Sequence, residues 1–383
     1  TKPIFPRKSK MQSSILFVFG TRPEALKMAP VIEAFHGQKQ FKVLTCLTGQ
    51  HREMVDQVLR LFRIKTDFDL NLMEKGQTLG DLTARVFGKM EEVFNKVKPD
   101  LLFVQGDTTT AFAVALKAFY SRIPVAHIEA GLRTFDKYQP FPEEINRVLI
   151  SHLADYHFPP TAAARSNLLR EGVPLTRIHV TGNTVVDALK SIRPKLRSAS
   201  LPVLKKVDPS RKLILVTAHR RESFGKPLAE VCKALKDLVR KHPDIEIIYP
   251  VHLNPNVQRT VRKALQGTPR VHLIEPLDYV EFLMIMDRSY LILTDSGGVQ
   301  EEAPSFRKPV LVMREVSERM EGVKAGLAKL VGTDRKKIVR EASRLIASRG
   351  AYRTMTGKKN PYGDGRASER ILSITARTLK CRE

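Results

Sequence analysis

Twelve short apolar runs, each followed by an amphipathic stretch of helical length, constrain this chain more than any other feature. In the first half they cover residues 15–19, 43–48, 101–105, 125–129, 156–159 and 178–181. In the second half they cover 213–217, 245–251, 271–275, 291–295, 309–313 and 329–332. Strands that alternate with helices and read as continuous hydrophobic runs belong to parallel sheets covered on both faces. Six runs, a break and six more predict an α/β chain of two doubly wound parallel-sheet domains.

The break is expected at "SIRPKLRSASLPVLKKVDPSRK", residues 191–212, rich in Pro, Ser and charge. The expected organisation is therefore a first domain over 11–190, a linker over 191–212 and a second domain over 213–365. The last helical stretch, within 366–383, has no strand to feed and is expected to cross back to the first domain.

A length of 383 residues allows two or three domains with real cores, and 42% apolar with 27% charged residues are globular proportions. No apolar run approaches the roughly 20 residues that span a bilayer, so no membrane insertion is expected. The opening "TKPIFPRKSK" lacks an apolar signal-peptide core. Met11 reads as a native start, with residues 1–10 a leader or remnant. Cys46, Cys232 and Cys381 are far apart, and neither CxxC nor HExxH occurs. Neither a disulfide framework nor a metal site is indicated, and a reducing cytoplasm is the expected compartment. The net charge of +25 would suit nucleic acid, a membrane surface or a phosphorylated substrate. Lys and Arg are spread without an arginine-rich tract, so the preferred reading is a solvated basic surface with a basic substrate cleft and no nucleic-acid partner.

Ligands of open parallel sheets sit at the carboxyl ends of strands, and four such ends carry chemistry. In "ILFVFGTRPEALKMAP", Thr21 and Glu24 make a capping box with Pro23 in the first turn. That is a sufficient structural role, yet Arg22 and Lys27 flank the helix start and suit a phosphate. In "DLLFVQGDTTTAFA", Asp107 follows the strand and can cap the next helix, the common role of such an Asp. In "VAHIEAGLRTFDKYQPFPEEINR", the strand delivers Glu129, and Glu143 and Glu144 return behind Pro142. Carboxylates gathered in one cleft raise each other's pKa, which favours a base near neutrality. Glu143 could instead cap its helix and Glu144 face water.

In "YLILTDSGGVQEEAPS", Ser296, Gly297 and Gly298 open a helix whose bare N–H groups suit an anion. Glu302 is placed to accept from ribose hydroxyls. Neither GxGxxG nor GxxxxGK[ST] occurs, so the usual dinucleotide and Walker readings fail. Strand, SGG and Glu together point to a nucleoside diphosphate. His219, Arg220 and Arg221 at another strand end suit leaving-group chemistry on a phosphate, and Arg314 and Arg319 follow a further strand.

With these residues assembled, the chain resembles the bacterial non-hydrolysing UDP-N-acetylglucosamine 2-epimerase family. The likeness runs from about Ile15 to the last helix through "GTRPEALKMAP", "TGQHREMVDQV", "GDTTTAFA", "HIEAGLRT", "PFPEEINR", "GNTVVDAL", "TAHRRESFG", "TDSGGVQEEAPS" and "ERMEGVKAG". It implies a GT-B-type fold of two Rossmann-like domains with the active site in the interdomain cleft, a homodimer, and no nicotinamide or other cofactor. The implied reaction converts UDP-N-acetylglucosamine to UDP-N-acetylmannosamine by expelling UDP to a 2-acetamidoglucal and re-adding it, serving surface polysaccharide synthesis. By motif match Asp107, Glu129 and Glu143 are the acid/base stations and His219 assists the diphosphate. Arg22, Lys27, Ser296, Gly297, Gly298, Glu302 and Arg319 match substrate-binding positions, with Phe282 near the uracil.

The resemblance also implies a second, activating UDP-sugar site, to which Gln50, His51, Arg220 and His252 match. Glu53 and Gly76 depart from its pattern, and Met320 replaces a Pro in the "ERMEG" loop. The nearest rival is a hydrolysing relative that releases N-acetylmannosamine and UDP. More distant rivals are a retaining glycosyltransferase of the same fold, which needs no base at C2, and a nucleic-acid-binding protein suggested by charge alone.

Overall fold

The structure, a computed structural model, describes residues 12–49, 52–74, 76–196, 201–220 and 223–380. It divides into two compact units, Thr1–Ser191 with Tyr362–Glu383, and Ile192–Pro361.

The sheet of the first unit contains β1 (Ser13–Phe19), β2 (Phe41–Leu47), β3 (Phe68–Asp69), β4 (Leu101–Gln105), β5 (Val125–Ile128) and β6 (Tyr156–Phe158). Its order is β3-β2-β1-β4-β5-β6, and its strand pairs are parallel. The second unit contains β7 (Lys212–Thr217), β8 (Ile245–Pro250), β9 (Val271–Ile274), β10 (Leu291–Thr294), β11 (Val310–Val312) and β12 (Ala328–Leu330). Its order, β12-β11-β10-β7-β8-β9, is the same winding read from the other edge. In both units the strand order reverses beside the first strand, between β1 and β4 and between β7 and β10. Those crevices are where doubly wound sheets bind ligands.

Burial explains why the central strands are continuous apolar runs. All five residues of β4 are buried, as are Leu213–Thr217 of β7, because helices cover both faces. In the first unit Phe17 stacks on Phe103 of the neighbouring strand with ring centroids 4.7 Å apart. Phe35, from the Arg22–His36 helix, meets both rings edge-on.

One expectation needs correction. Residues 178–181 form no strand; after the 3-10 turn Leu175–Arg177 they make one isolated bridge, Ile178 to His157. Beyond the bridge the contact is carried by single backbone bonds, His179 N–H to the His157 carbonyl at 2.9 Å and Thr181 N–H to the Pro159 carbonyl at 3.1 Å. The sixth strand is instead β3, whose two residues pair with Cys46 and Leu47 at the sheet edge. The 191–212 stretch is partly helical. The Thr184–Leu196 helix runs into it past Pro194, and a short helix spans Pro202–Lys205.

The Ala367–Lys380 helix lies in the first unit and packs on the Arg22–His36 helix. Asp187 holds its start, accepting the N–H groups of Ala367 at 3.2 Å and Ser368 at 2.8 Å. Cys46 and Cys232 are buried free thiols, each pushed up to about 12 chiefly by burial. Among the described residues no helix is long and apolar enough to cross a membrane, and no cluster of three or more His, Cys, Asp or Glu side chains could hold a metal ion.

Candidate active site

In the first unit the carboxyl ends of β1, β4 and β5 lie side by side. Glu24, on the helix after β1, accepts the N–H groups of Gly20 at 2.9 Å and Thr21 at 2.7 Å. The Thr108 hydroxyl donates to its other oxygen at 2.6 Å, tying the end of β1 to the start of the helix after β4. Burial pushes the Glu24 carboxyl above its ordinary value, against those hydrogen bonds.

Asp107 does not cap that helix. Thr108 is the N-cap, its hydroxyl accepting from the Ala111 N–H at 3.0 Å. Asp107 is instead an ion-pair partner of buried Arg147, with Oδ2 2.5 Å from Nη2. Asn146 donates to the Asp107 carbonyl at 2.9 Å, so the Glu143–Leu153 helix grips this residue at both backbone and side chain. Glu144 does not face water; it is buried, bonded to Arg147 at 3.1 Å. Its other oxygen accepts the N–H groups of Thr134 and Phe135, both at 2.9 Å, which fixes the connecting loop. Glu143 opens the same helix, half-buried, behind Pro142 at the N-cap.

Glu129 stands just past β5 with φ of 65°, a left-handed conformation uncommon for a side-chain-bearing residue. Such outliers cluster at functional sites. Its carboxylate forms a buried ion pair with Lys27 and accepts from Gln105 at 3.0 Å. Lys27 is therefore engaged with a carboxylate rather than standing open at the helix start; Arg22 is half-buried there. Beneath this rim His127 donates from Nε2 to the Gly106 carbonyl at 2.7 Å. Burial lowers His127 to about 4 and, on the adjacent strand, His157 to about 3.

In the second unit the ends of β7 and β10 are joined by a 2.6 Å hydroxyl bond between Thr217 and Thr294. Asp295, at the end of β10, accepts the N–H groups of His219 at 2.7 Å and Arg220 at 2.8 Å. The His219 ring stacks on His252, with centroids 5.3 Å apart and planes 12° from parallel. Ser296 is the N-cap of the Gly297–Glu302 helix, with Gly297 buried and Gly298 exposed. The Arg319 guanidinium lies over Gly297, where a Cβ would sit 2.7 Å from Cζ. Arg319 is held by Glu301 at 2.7 Å and by Glu318. Burial pushes the Glu318 carboxyl up, but Arg319, Arg314 and Arg220 outweigh it and bring the group down to about 2. Glu302 is buried and accepts the Tyr279 hydroxyl at 2.9 Å; Phe282 is half-buried one turn along the Tyr279–Arg288 helix. Gln50 and His51 lie outside the described residues, as does the side chain of Glu53.

Sequence reasoning did not find Gln105, Arg147 or the part played by Asp295. Each acts across strands or helices. Only the Glu144–Arg147 spacing, three apart in a helix, carried a local signal.

Two Rossmann-like sheets with chemistry at both switch points define a GT-B-type protein. A profile of the UDP-N-acetylglucosamine 2-epimerase family matches residues 33–376. The UDP-N-acetylglucosamine 2-epimerase of Escherichia coli K12 is 53% identical over 364 residues, 94% of this chain and 97% of that one. The crystal structure of the Neisseria meningitidis enzyme bound to UDP-N-acetylglucosamine superposes with a TM-score of 0.89 at 45% identity, covering 95% of this chain and 100% of that one. That of Methanocaldococcus jannaschii, in complex with UDP-N-acetylglucosamine and UDP, gives 0.82 at 34% identity, covering 95% and 99%. The chain belongs to the UDP-N-acetylglucosamine 2-epimerase family.

Proposed function

We propose that the chain interconverts UDP-N-acetylglucosamine and UDP-N-acetylmannosamine without hydrolysis, as a cytoplasmic homodimer that feeds surface polysaccharide synthesis. The observation that carries the reading is Glu129, a buried carboxylate in a strained backbone at a switch-point rim, with Asp107 at the end of the adjacent strand.

The C2 proton of an N-acetylhexosamine is weakly acidic, so its removal needs a positioned base. A carboxylate takes that proton, the C2–H electron pair becomes the C1=C2 bond, and the C1–O bond breaks. UDP leaves with the C1–O bonding pair, its departure eased by His219 and by the charge of Arg319. The products are UDP and 2-acetamidoglucal. Re-addition of UDP with protonation at the other face completes inversion. Two faces require more than one acid/base station, and Asp107, Glu129 and Glu143 fill them. Arg22, Lys27, Ser296, Gly297 and Gly298 serve binding of the diphosphate sugar, Glu302 the ribose and Phe282 the uracil. Lys27 also balances the charge of Glu129.

Product analysis tests this directly. Purified protein given UDP-N-acetylglucosamine should accumulate UDP-N-acetylmannosamine to a constant ratio, with only traces of free UDP. Stoichiometric release of N-acetylmannosamine and UDP would move the chain to the hydrolysing class.

A further inference from the structure

We propose that Asp295 is the positioning residue for His219, fixing both its backbone and the proton on its ring. The proposal rests on the reading of His219 as the group that assists UDP departure.

Asp295 is 1% exposed, and one of its oxygens is already committed: Oδ2 accepts the N–H groups of His219 and Arg220. Oδ1 is buried, makes no hydrogen bond and lies 3.5 Å from His219 Nδ1. One carboxylate therefore grips the residue's main chain and faces one nitrogen of its ring. A carboxylate beside Nδ1 keeps a proton there, which leaves Nε2, on the far edge of the ring, as the atom that exchanges a proton with the leaving group. Tyr249 braces the same turn from behind, its buried hydroxyl donating to the Ala218 carbonyl at 2.9 Å. The stacked His252 closes one face of the ring, so rotation away from Asp295 is restricted.

Asp295→Asn makes a sharp test. Its single amide oxygen is needed by the two N–H groups, so the NH2 must face Nδ1, and a donor there forces the opposite tautomer. We expect kcat to fall by roughly 30-fold or more, while UDP affinity and KM stay within about 3-fold. In 15N-histidine NMR of the wild-type protein, His219 should show a protonated Nδ1, a signature independent of whether the variant folds. His219→Ala with Asp295→Asn should be no slower than His219→Ala alone. An Asp295→Asn enzyme of normal kcat, an unprotonated Nδ1 in the wild type, or additive losses in the double variant would each overturn the proposal. Full activity in His219→Ala would instead overturn the underlying role of His219.

Discussion

Lys27 and Glu129 stand 102 positions apart in sequence and form a buried ion pair in the first unit. Their side chains are 8% and 6% exposed, so the pair is shielded from solvent and neither charge is readily left alone. Removing one member of a buried pair is far more damaging than replacing both. Lys27→Met is therefore expected to destabilise the first unit by roughly 3–5 kcal/mol, and Lys27→Met with Glu129→Gln to recover much of that. Denaturant titrations of the single and double variants check this. A single variant as stable as the wild type would show that the pair does not carry the charge balance of the rim.

Chemistry and binding should separate at the carboxylates. Asp107→Asn, Glu129→Gln and Glu143→Gln are each expected to lower turnover by roughly 100-fold or more, the scale of positioned acid/base groups. UDP affinity should change by only a few-fold, because most of the groups assigned to UDP, namely Ser296, Gly297, Gly298, Glu302, Phe282 and Arg319, lie in the second unit. Initial rates with isothermal titration of UDP measure both. Near-full activity in all three would leave these residues with structural roles alone.

The sheet architecture was legible because fully buried parallel strands advertise themselves as apolar runs; β4 matches its run end to end, at Leu101–Gln105. β3 escaped because two residues at a sheet edge, Phe68 and Asp69, leave no run to read. Residues 178–181 misled because their apolar character reflects one buried contact at Ile178 rather than a ladder. The same asymmetry governs the sites. Strand-end residues such as Asp107, Glu129 and His219 could be picked out because the chemistry of such folds is confined to strand ends. Their supports could not. Arg147 lies 40 positions from Asp107 and Gln105 lies 24 from Glu129, and only the packing of helices and strands brings such groups together.

Two buried histidines give the first unit a defined response to acid. Burial lowers His127 to about 4 and His157 to about 3, from an ordinary value of 6.5. The unfolded chain then binds protons that the folded chain refuses. Stability is full above about pH 6.5 and falls as the pH drops toward the folded values. Between pH 7 and pH 5 the loss should be on the order of 1–2 kcal/mol per histidine. His157→Leu should flatten the slope of denaturation midpoint against pH by about half. An unchanged slope would assign the acid sensitivity elsewhere.

Gly297 leaves the space that the Arg319 guanidinium fills. Gly297→Ala would place a Cβ within 3.0 Å of three guanidinium atoms, displacing a side chain that can move, so the fold should survive. Loss of one charge-assisted contact to phosphate corresponds to about 1.5–3 kcal/mol, or roughly 10- to 100-fold in UDP affinity. Titration with UDP beside a thermal melt checks both halves. Wild-type affinity would mean that Arg319 does not contact the diphosphate.

At the second UDP-sugar site implied by the family resemblance, Gly76 stands where an Arg would contact phosphate, and Glu53 adds negative charge to the sequence there. A lost charge-assisted bond is comparable with a typical coupling energy of about 1–3 kcal/mol. Initial rates from UDP-N-acetylmannosamine are therefore expected without added UDP-N-acetylglucosamine and with weak cooperativity. An absolute requirement for that activator would show that the remaining positions suffice.

Proton NMR of the protein with UDP-N-acetylglucosamine in D2O tests the central claim, that a carboxylate rim removes and returns the C2 proton. Both UDP-sugar epimers should acquire deuterium at C2 as the mixture approaches a constant ratio. Epimerisation with the C2 proton retained, or substrate recovered unlabelled and unchanged, would contradict the account.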